Sequence, residues 1–265
     1  MSGPRSRPVA VRVPFVVAAP ARAGLAVRSR GCSTPRTILS QILAYGGDLV
    51  LLDGHIGDCG QAARAYAAES GAVDLSTLRE PYRIEGKKTL GLELAMQLGW
   101  TLPAAIIYPT GGGTGLIGMW KAFLELRDAS WVQGDLPRMY TVQSSGCAPV
   151  VRAFEAGADQ CEPWPDPWTV ASGLRVPGPL GGRLMLRILR ETGGGAVAVD
   201  DADLEREAGE GTREEGVDLS PEGGAALAAA GALRDRGVLA SEDKVVAFNT
   251  GAGWLYRSPG DLPPV

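Results

Sequence analysis

The chain is poor in the side chains that most often carry out chemistry. Its 265 residues include one histidine, His55, and four lysines, Lys87, Lys88, Lys121 and Lys244, among 26 basic residues. The four cysteines, Cys32, Cys59, Cys147 and Cys161, are scattered. No CxxC pair or histidine cluster accompanies them, so a zinc site is not expected and a reduced, cytoplasmic setting is the default. No apolar run reaches the roughly 18 residues of a membrane-spanning helix, and no membrane partner is expected. A formal net charge of −4 gives no basic field, so nucleic-acid binding has no electrostatic support. Acidic residues and lysines are both absent before Asp48, where there are seven arginines. An arginine-rich, acid-free start can be a transit peptide. However, Val13-Pro14-Phe15-Val16-Val17 and Leu25-Ala26-Val27 have the character of strands rather than of an amphipathic helix, so the segment reads as a divergent terminus.

What the chain has in abundance is glycine, 37 residues of it, and the glycines concentrate in one informative stretch. From Ala104 to Leu126 the sequence runs AAIIYPTGGGTGLIGMWKAFLEL. An apolar run, Ala104 to Tyr108, precedes Gly111-Gly112-Gly113-Thr114-Gly115. Leu116, Ile117, Met119, Trp120, Phe123 and Leu124 then recur at helical spacing. Strand, glycine loop and helix in succession aim free backbone N–H groups and a positive dipole end at one point, where an anion, most often a phosphate, is favoured. Glycine suits such a loop because a side chain would hold the backbone off the phosphate and resist positive φ. Gly113, Gly115 and Gly118 also satisfy GxGxxG, the dinucleotide fingerprint. That motif expects an acidic residue at the end of the next strand, and here the strand ends at Gln143-Ser144. A P-loop fits worse, since no Gly-Lys-Ser/Thr follows. A glycine turn packed on a neighbouring strand is the structural alternative.

The rest of the chain alternates. Helices are expected at 37–44, 60–69, 90–98, 147–156, 183–191, 200–215 and 221–236. Strands are expected at 48–52 (a buried one), 104–108, 138–143, 196–199 and 244–248. Residues 71–82 and 157–182 read as loops, with Trp164 and Trp168 as packing residues, and the chain end as frayed. The alternation predicts an α/β fold with an open, mostly parallel twisted sheet and helices on both faces. At this length either one large core or two smaller ones can be buried. The expected divisions are 1–32, a divergent segment; 33–70, the remnant of a small domain; 71–258, a large domain; and 259–265, a tail. His55 sits in a polar turn and reads as a surface residue. Glu222, after Pro221 at a helix start, is most simply a carboxylate favoured by the helix dipole, with a substrate contact as the alternative.

Two stretches together are more specific than either alone. PYRIEGKKTLGLELAMQLGW at 81–100, followed by YPTGGGTGLIGMWKAF at 108–123, resembles the threonine synthase family of fold type II pyridoxal-phosphate enzymes, which includes the tryptophan synthase β subunit. Val142-Gln143 with Gly146-Cys147-Ala148-Pro149, Gly173-Leu174-Arg175-Val176-Pro177, Pro221-Glu222-Gly223 and Asn249-Thr250-Gly251 are similar too, so the resemblance covers about residues 33–255. It implies that pyridoxal 5'-phosphate is the cofactor, with its phosphate held by Gly111, Gly112, Gly113, Thr114 and Gly115. Thr250 would hydrogen-bond the pyridine nitrogen, a hydroxyl partner that does not hold that nitrogen protonated. Arg83 would grip a substrate phosphate through its planar fork of donors. The implied reaction converts O-phospho-L-homoserine and water to L-threonine and phosphate, and homodimers are usual in the family. Gly253-Trp254-Leu255 departs from the usual Gly-Leu-Lys.

The family also uses a lysine that forms a Schiff base with the cofactor, in a Ser-x-Lys segment. None of the four lysines here has that context, so no catalytic lysine is assigned. The resemblance then implies that the segment carrying it is missing, and that turnover by this chain alone is impaired. Two other readings stand beside threonine synthesis: a sibling lyase such as a serine or threonine dehydratase, and a non-catalytic truncated homologue.

Overall fold

The structure is a computed structural model that describes residues 23–29, 32–45, 48–72, 74 and 76–257. The expected strand fragment at 13–17 and the tail at 259–265 lie outside the described residues. The first part is a small three-stranded sheet. Its strands are β1 (Ala23–Ser29), β2 (Cys32–Ser33) and β3 (Asp48–Asp53), in the order β2-β1-β3. β1 runs parallel to β3 and antiparallel to β2, so strands from both sides of residue 32 share one sheet. The helices α1 (Arg36–Ala44) and α2 (Ile56–Ser70) follow β2 and β3. β3 was expected to be buried, but Val50 and Leu51 are 48% and 46% exposed. Adjacent strand residues point to opposite faces, so neither face is covered at this position.

The larger part is a four-stranded, wholly parallel sheet. Its strands are β4 (Ala105–Pro109), β5 (Arg138–Ser144), β6 (Gly195–Val199) and β7 (Val245–Ala247), ordered β6-β5-β4-β7. Its helices are α3 (Tyr82–Gln97), α4 (Thr114–Asp128), α5 (Pro149–Glu155), α6 (Gly182–Glu191), α7 (Asp201–Glu215) and α8 (Pro221–Asp235). β4 is buried along its whole length, which explains why it reads as an unbroken apolar run instead of an alternating one. Its pleat divides the core. Ile106 and Tyr108 join Leu94, Phe123, Met139 and Leu186 on the α3–α6 side. Ala105 and Ile107 join Tyr140, Val142, Val197 and Ala226 on the α7–α8 side. The expected α/β architecture, with helices on both faces, is what the chain adopts.

Three elements differ from expectation. α3 starts at Tyr82, so Glu85-Gly86-Lys87-Lys88-Thr89 is helical and the helix begins eight residues before the apolar spacing does. The cause is its packing. A Cβ on Gly91 would lie 2.9 Å from Ala122 Cβ, and one on Gly118 would lie 2.6 Å from Lys87 Cβ, so the two helices approach closely through glycines and a lysine stem, while Leu94 and Ala95 further along α3 join the core with Leu116 and Phe123 of α4. The chain end is ordered further than expected. A 3-10 turn spans Gly253–Leu255, and Thr37 Oγ1 donates to Leu255 O at 2.7 Å. Trp168, expected to pack, is 52% exposed, whereas Trp164 lies under the Arg152 guanidinium at 4.7 Å.

Candidate functional site

The glycine loop begins where β4 ends. Thr110 N donates to Val142 O at 2.9 Å, the last rung between β4 and β5, and Thr110 Oγ1 turns back to Tyr108 O at 2.8 Å. Gly113 is the N-cap of α4 at φ 88°, ψ 0°, and Ile117 N donates to Gly113 O at 3.0 Å to open the helix ladder. The N–H groups of Gly111, Gly112, Gly113, Thr114 and Gly115 make no hydrogen bond to any described residue. Five free donors thus gather at the positive end of a fifteen-residue helix.

The reason for glycine here is broader than close approach to an anion. A Cβ on Gly111 would fall 2.3 Å from Gly173 O, one on Gly113 2.3 Å from Met185 Sδ, and one on Gly115 1.9 Å from the Tyr108 hydroxyl oxygen. Only Gly113 in the loop needs a positive φ. Gly111 and Gly115 are required because neighbouring protein atoms occupy the space of a side chain, while Gly112 meets only a tight contact with Thr77. Burial pushes the Tyr108 phenol up to about 12.

Gln143, which stands where a dinucleotide fingerprint expects an acid, has a structural task. It is fully buried. Its Nε2 donates to Thr110 O at 3.2 Å, and its Oε1 accepts from Val150 N at 2.9 Å and Val151 N at 3.3 Å. The side chain therefore ties the loop to β5 and supplies the first turn of α5 with an acceptor.

Beside the loop, at the carboxyl ends of β4 and β7, is a cavity of about 160 Å³, the place where open α/β sheets receive ligands. Its polar side chains are Thr250, Glu222 and Tyr256, and Pro109, Leu174 and Leu255 form its apolar walls. Phe248 N donates to Ile107 O at 3.0 Å, which carries the β4–β7 ladder up to Asn249-Thr250. Asn249 Oδ1 accepts from Ser220 N and Oγ, both at 3.2 Å, and joins that turn to the start of α8. Glu222 Oε1 accepts from Gly173 N at 2.9 Å and from the Tyr256 hydroxyl, and Ser172 Oγ donates to Tyr256 Oη at 3.2 Å. Burial, and then the Glu222 carboxylate, push the Tyr256 phenol far above its ordinary range, so it stays protonated.

Arg83 lies on the first turn of α3. Its Nη1 donates to Thr77 Oγ1 at 3.4 Å, and Thr77 Cγ2 is 3.0 Å from the position of a Gly112 Cβ. The guanidinium is thereby one residue removed from the glycine loop. None of the four lysines lines the Thr250 cavity. Lys88 and Lys121 are both paired with Glu85 and Glu125. Lys244 precedes β7, at the end of the strand opposite Thr250. Lys87 is half-buried between α3 and α4, where burial and the nearby Arg83 charge lower its pKa. His55 is exposed at the N-cap of α2, its N–H donating to Asp58 Oδ2 at 2.6 Å. No group of His, Cys, Asp and Glu suited to a metal exists among the described residues. Burial raises Cys147 to about 11, although Val176 N–H and Arg175 pull the other way.

Sequence reasoning missed Thr77, Ser172 and Tyr256, and it favoured a helix-start role for Glu222 over a substrate contact. Glu222 does stand at that position, but it also faces the cavity. None of the four carried a local signal beyond the Pro221-Glu222-Gly223 match.

The comparisons with known proteins agree with one another at the level of family. A family model described as pyridoxal-phosphate dependent enzyme matches residues 17–251, somewhat earlier than the resemblance at 33–255. The threonine synthase of Methanosarcina acetivorans is 30% identical over 221 residues, covering 83% of this chain and 54% of that protein. The threonine synthase of Methanocaldococcus jannaschii is 28% identical over 215 residues, covering 81% and 53%. The chain spans about half the length of the curated relatives it matches. Among solved structures, the processed form of threonine deaminase isoform 2 from Solanum lycopersicum superposes with a TM-score of 0.67 at 22% identity, covering 87% of this chain and 62% of that one. Maize serine racemase superposes with a TM-score of 0.64 at 24% identity, covering 80% and 62%. These last two likenesses bear on the fold alone.

Proposed function

The chain belongs to the family of pyridoxal-phosphate dependent enzymes, and from that premise we propose that it serves threonine synthase chemistry, in which O-phospho-L-homoserine and water give L-threonine and phosphate. The observation that carries the reading is the pairing of the free N–H groups at Gly111–Gly115 with Arg83 close by through Thr77. In this reading the loop serves a cofactor phosphate and Arg83 a phosphorylated substrate. The threonine synthase relatives at about 30% identity support the same reading.

The residues present fit the cofactor. The five unpaired donors suit a phosphate dianion, and the apolar cavity ending in Thr250 suits a flat ring with a hydrogen-bonding nitrogen. When bound, pyridoxal phosphate supplies an electron sink for the substrate's α carbon. In this proposal Gly111, Gly112, Gly113, Thr114 and Gly115 hold the phosphate by their main-chain N–H groups. Thr250 would orient the ring, and Arg83 would orient the substrate by its phosphate. The reaction also needs a lysine amine to move protons at the α and β carbons, and none of the four lysines lines the cavity. The chain's own part is accordingly binding and positioning.

The test is to incubate the chain with pyridoxal phosphate and either O-phosphohomoserine or threonine, alone and together with a polypeptide carrying the N-terminal half of a threonine synthase. The expected result is phosphate release and threonine formation only in the supplemented mixture, reduced at least tenfold by Arg83→Ala. Consumption of threonine with no phosphate release from phosphohomoserine would instead identify a dehydratase.

A further inference from the structure

Two buried side-chain atoms among the described residues have no hydrogen-bond partner, Thr141 Oγ1 in the middle of β5 and Arg175 Nη1. The second is the costlier, because a guanidinium stays charged and can only donate. Arg175 also has no ion pair among the described residues. Its charge does act on Cys147, but burial holds that thiol up at about 11, so it stays neutral and supplies no anion. A buried cationic donor in this condition points to an acceptor from outside the chain.

The segment that carries Arg175 lies against the glycine loop. A Cβ on Gly111 would fall 2.3 Å from Gly173 O and 2.8 Å from Val176 Cγ2, so residues on both sides of Arg175 pack there. The next glycine of the loop meets the segment that holds Arg83. A Cβ on Gly112 would lie 3.0 Å from Thr77 Cγ2, and Thr77 Oγ1 accepts from Arg83 Nη1. Gly181 draws the two segments together, since a Cβ there would lie 2.9 Å from Gly112 O and 3.1 Å from Leu78 Cδ1. Consecutive residues of the loop are thus flanked by two segments, each bearing an arginine.

We propose that Arg175 is a second guanidinium for the phosphate of a phosphorylated substrate, acting with Arg83. The inference rests on the threonine synthase reading and adds a residue to it. A phosphate monoester carries about two negative charges at neutral pH, and Arg83 balances only one. The N–H groups of the loop are given in that reading to the cofactor phosphate. Arg175 supplies the missing charge and a planar set of donors that matches phosphate oxygens. It is a specificity residue, favouring a phosphorylated substrate over its hydroxyl counterpart, and it takes no part in proton movement.

The experiment measures binding of O-phospho-L-homoserine and of L-homoserine to the full chain in the presence of pyridoxal phosphate, by equilibrium dialysis. The wild-type chain should prefer the phosphorylated compound. Arg175→Met removes a buried donor that has no acceptor, so the fold should survive. It should cut the preference about tenfold, the worth of a hydrogen bond to a charged group, with homoserine binding unchanged. Arg175→Lys keeps the charge but not the fork and should cut it only about threefold. A purely structural Arg175 would weaken both compounds equally, and a preference left intact in Arg175→Met overturns the proposal. A second arm compares pyridoxal phosphate with pyridoxal, whose ratio Arg175→Met should leave unchanged. A loss confined to that arm would assign the guanidinium to the cofactor phosphate and overturn its assignment to the substrate. Equal binding of the two homoserine compounds by the wild-type chain would overturn the threonine synthase reading, and this proposal with it, an outcome distinct from an intact preference.

Discussion

At the scale of single residues, the site is most exposed to change at Gly113 and Gln143. Gly113 holds φ 88° with Met185 Sδ pressed against it. Gly113→Ala should cost about 1–3 kcal/mol, read from urea denaturation. Gly113→Asp should in addition abolish cofactor retention, because a carboxylate would stand where the phosphate is proposed to sit. Retention equal to wild type would make the loop a packing feature only. Gln143→Leu removes the acceptor for Val150 N and the donor to Thr110 O in a fully buried place. A loss of about 2–4 kcal/mol is expected from the unsatisfied main-chain groups. The Gln143 side chain shows how a residue can be read correctly as a mismatch to one motif while its actual task stays hidden. Its three hydrogen bonds reach back 33 positions and forward seven and eight, and no local pattern encodes the first of these. Glu222 and Tyr256 stayed illegible for the same reason, being 34 positions apart.

At the scale of elements, the strand–loop–helix unit around the glycines was legible because punctuation and periodicity agree there. The first half of α3 was not, because its close approach to α4 runs through the Lys87 stem and Gly118, and helix prediction looks for apolar residues at that spacing. Gly118→Val tests this contact. Its Cβ would meet Lys87 Cβ at 2.6 Å and Lys87 C at 2.9 Å, so α3 must move away from α4, with a loss of about 1–3 kcal/mol and a displaced Arg83. The same helix pair is clamped on its outside by Glu85, whose carboxyl Lys121 and then Lys88 hold below the ordinary carboxylate range. A depressed folded-state pKa contributes stability above the unfolded value, and this is lost as pH falls through the folded one. Glu85→Gln should therefore be less stable than wild type at neutral pH and indistinguishable from it once the carboxyl is protonated. Because the group is exposed, high salt should narrow the neutral-pH difference as well.

At the scale of the whole molecule, the two sheets differ in how well they are covered. The four-stranded sheet has a core on each face, and its parallel sense, though not its strand order, followed from the alternating sequence. The three-stranded sheet leaves Val50 and Leu51 about half exposed on opposite faces of β3. Exposed apolar strands recruit other strands. Concentration-dependent sedimentation is the expected outcome for the wild-type chain, and Leu51→Lys should reduce it without altering cofactor binding. An exposure of this kind cannot be read from composition, since a run such as Leu49-Val50-Leu51-Leu52 has the same appearance whether or not something lies over it.

The bond from Tyr256 to Glu222, supported by Ser172, joins almost the last described residue to the first turn of α8 and the 172–174 turn. One wall of the cavity is made of Leu255 and Tyr256, and Gly173, Leu174 and Glu222 form others. Three segments far apart in the chain must therefore meet before the cavity exists, so its assembly is slow and long-range, whereas the glycine loop and its helix form from residues adjacent in sequence.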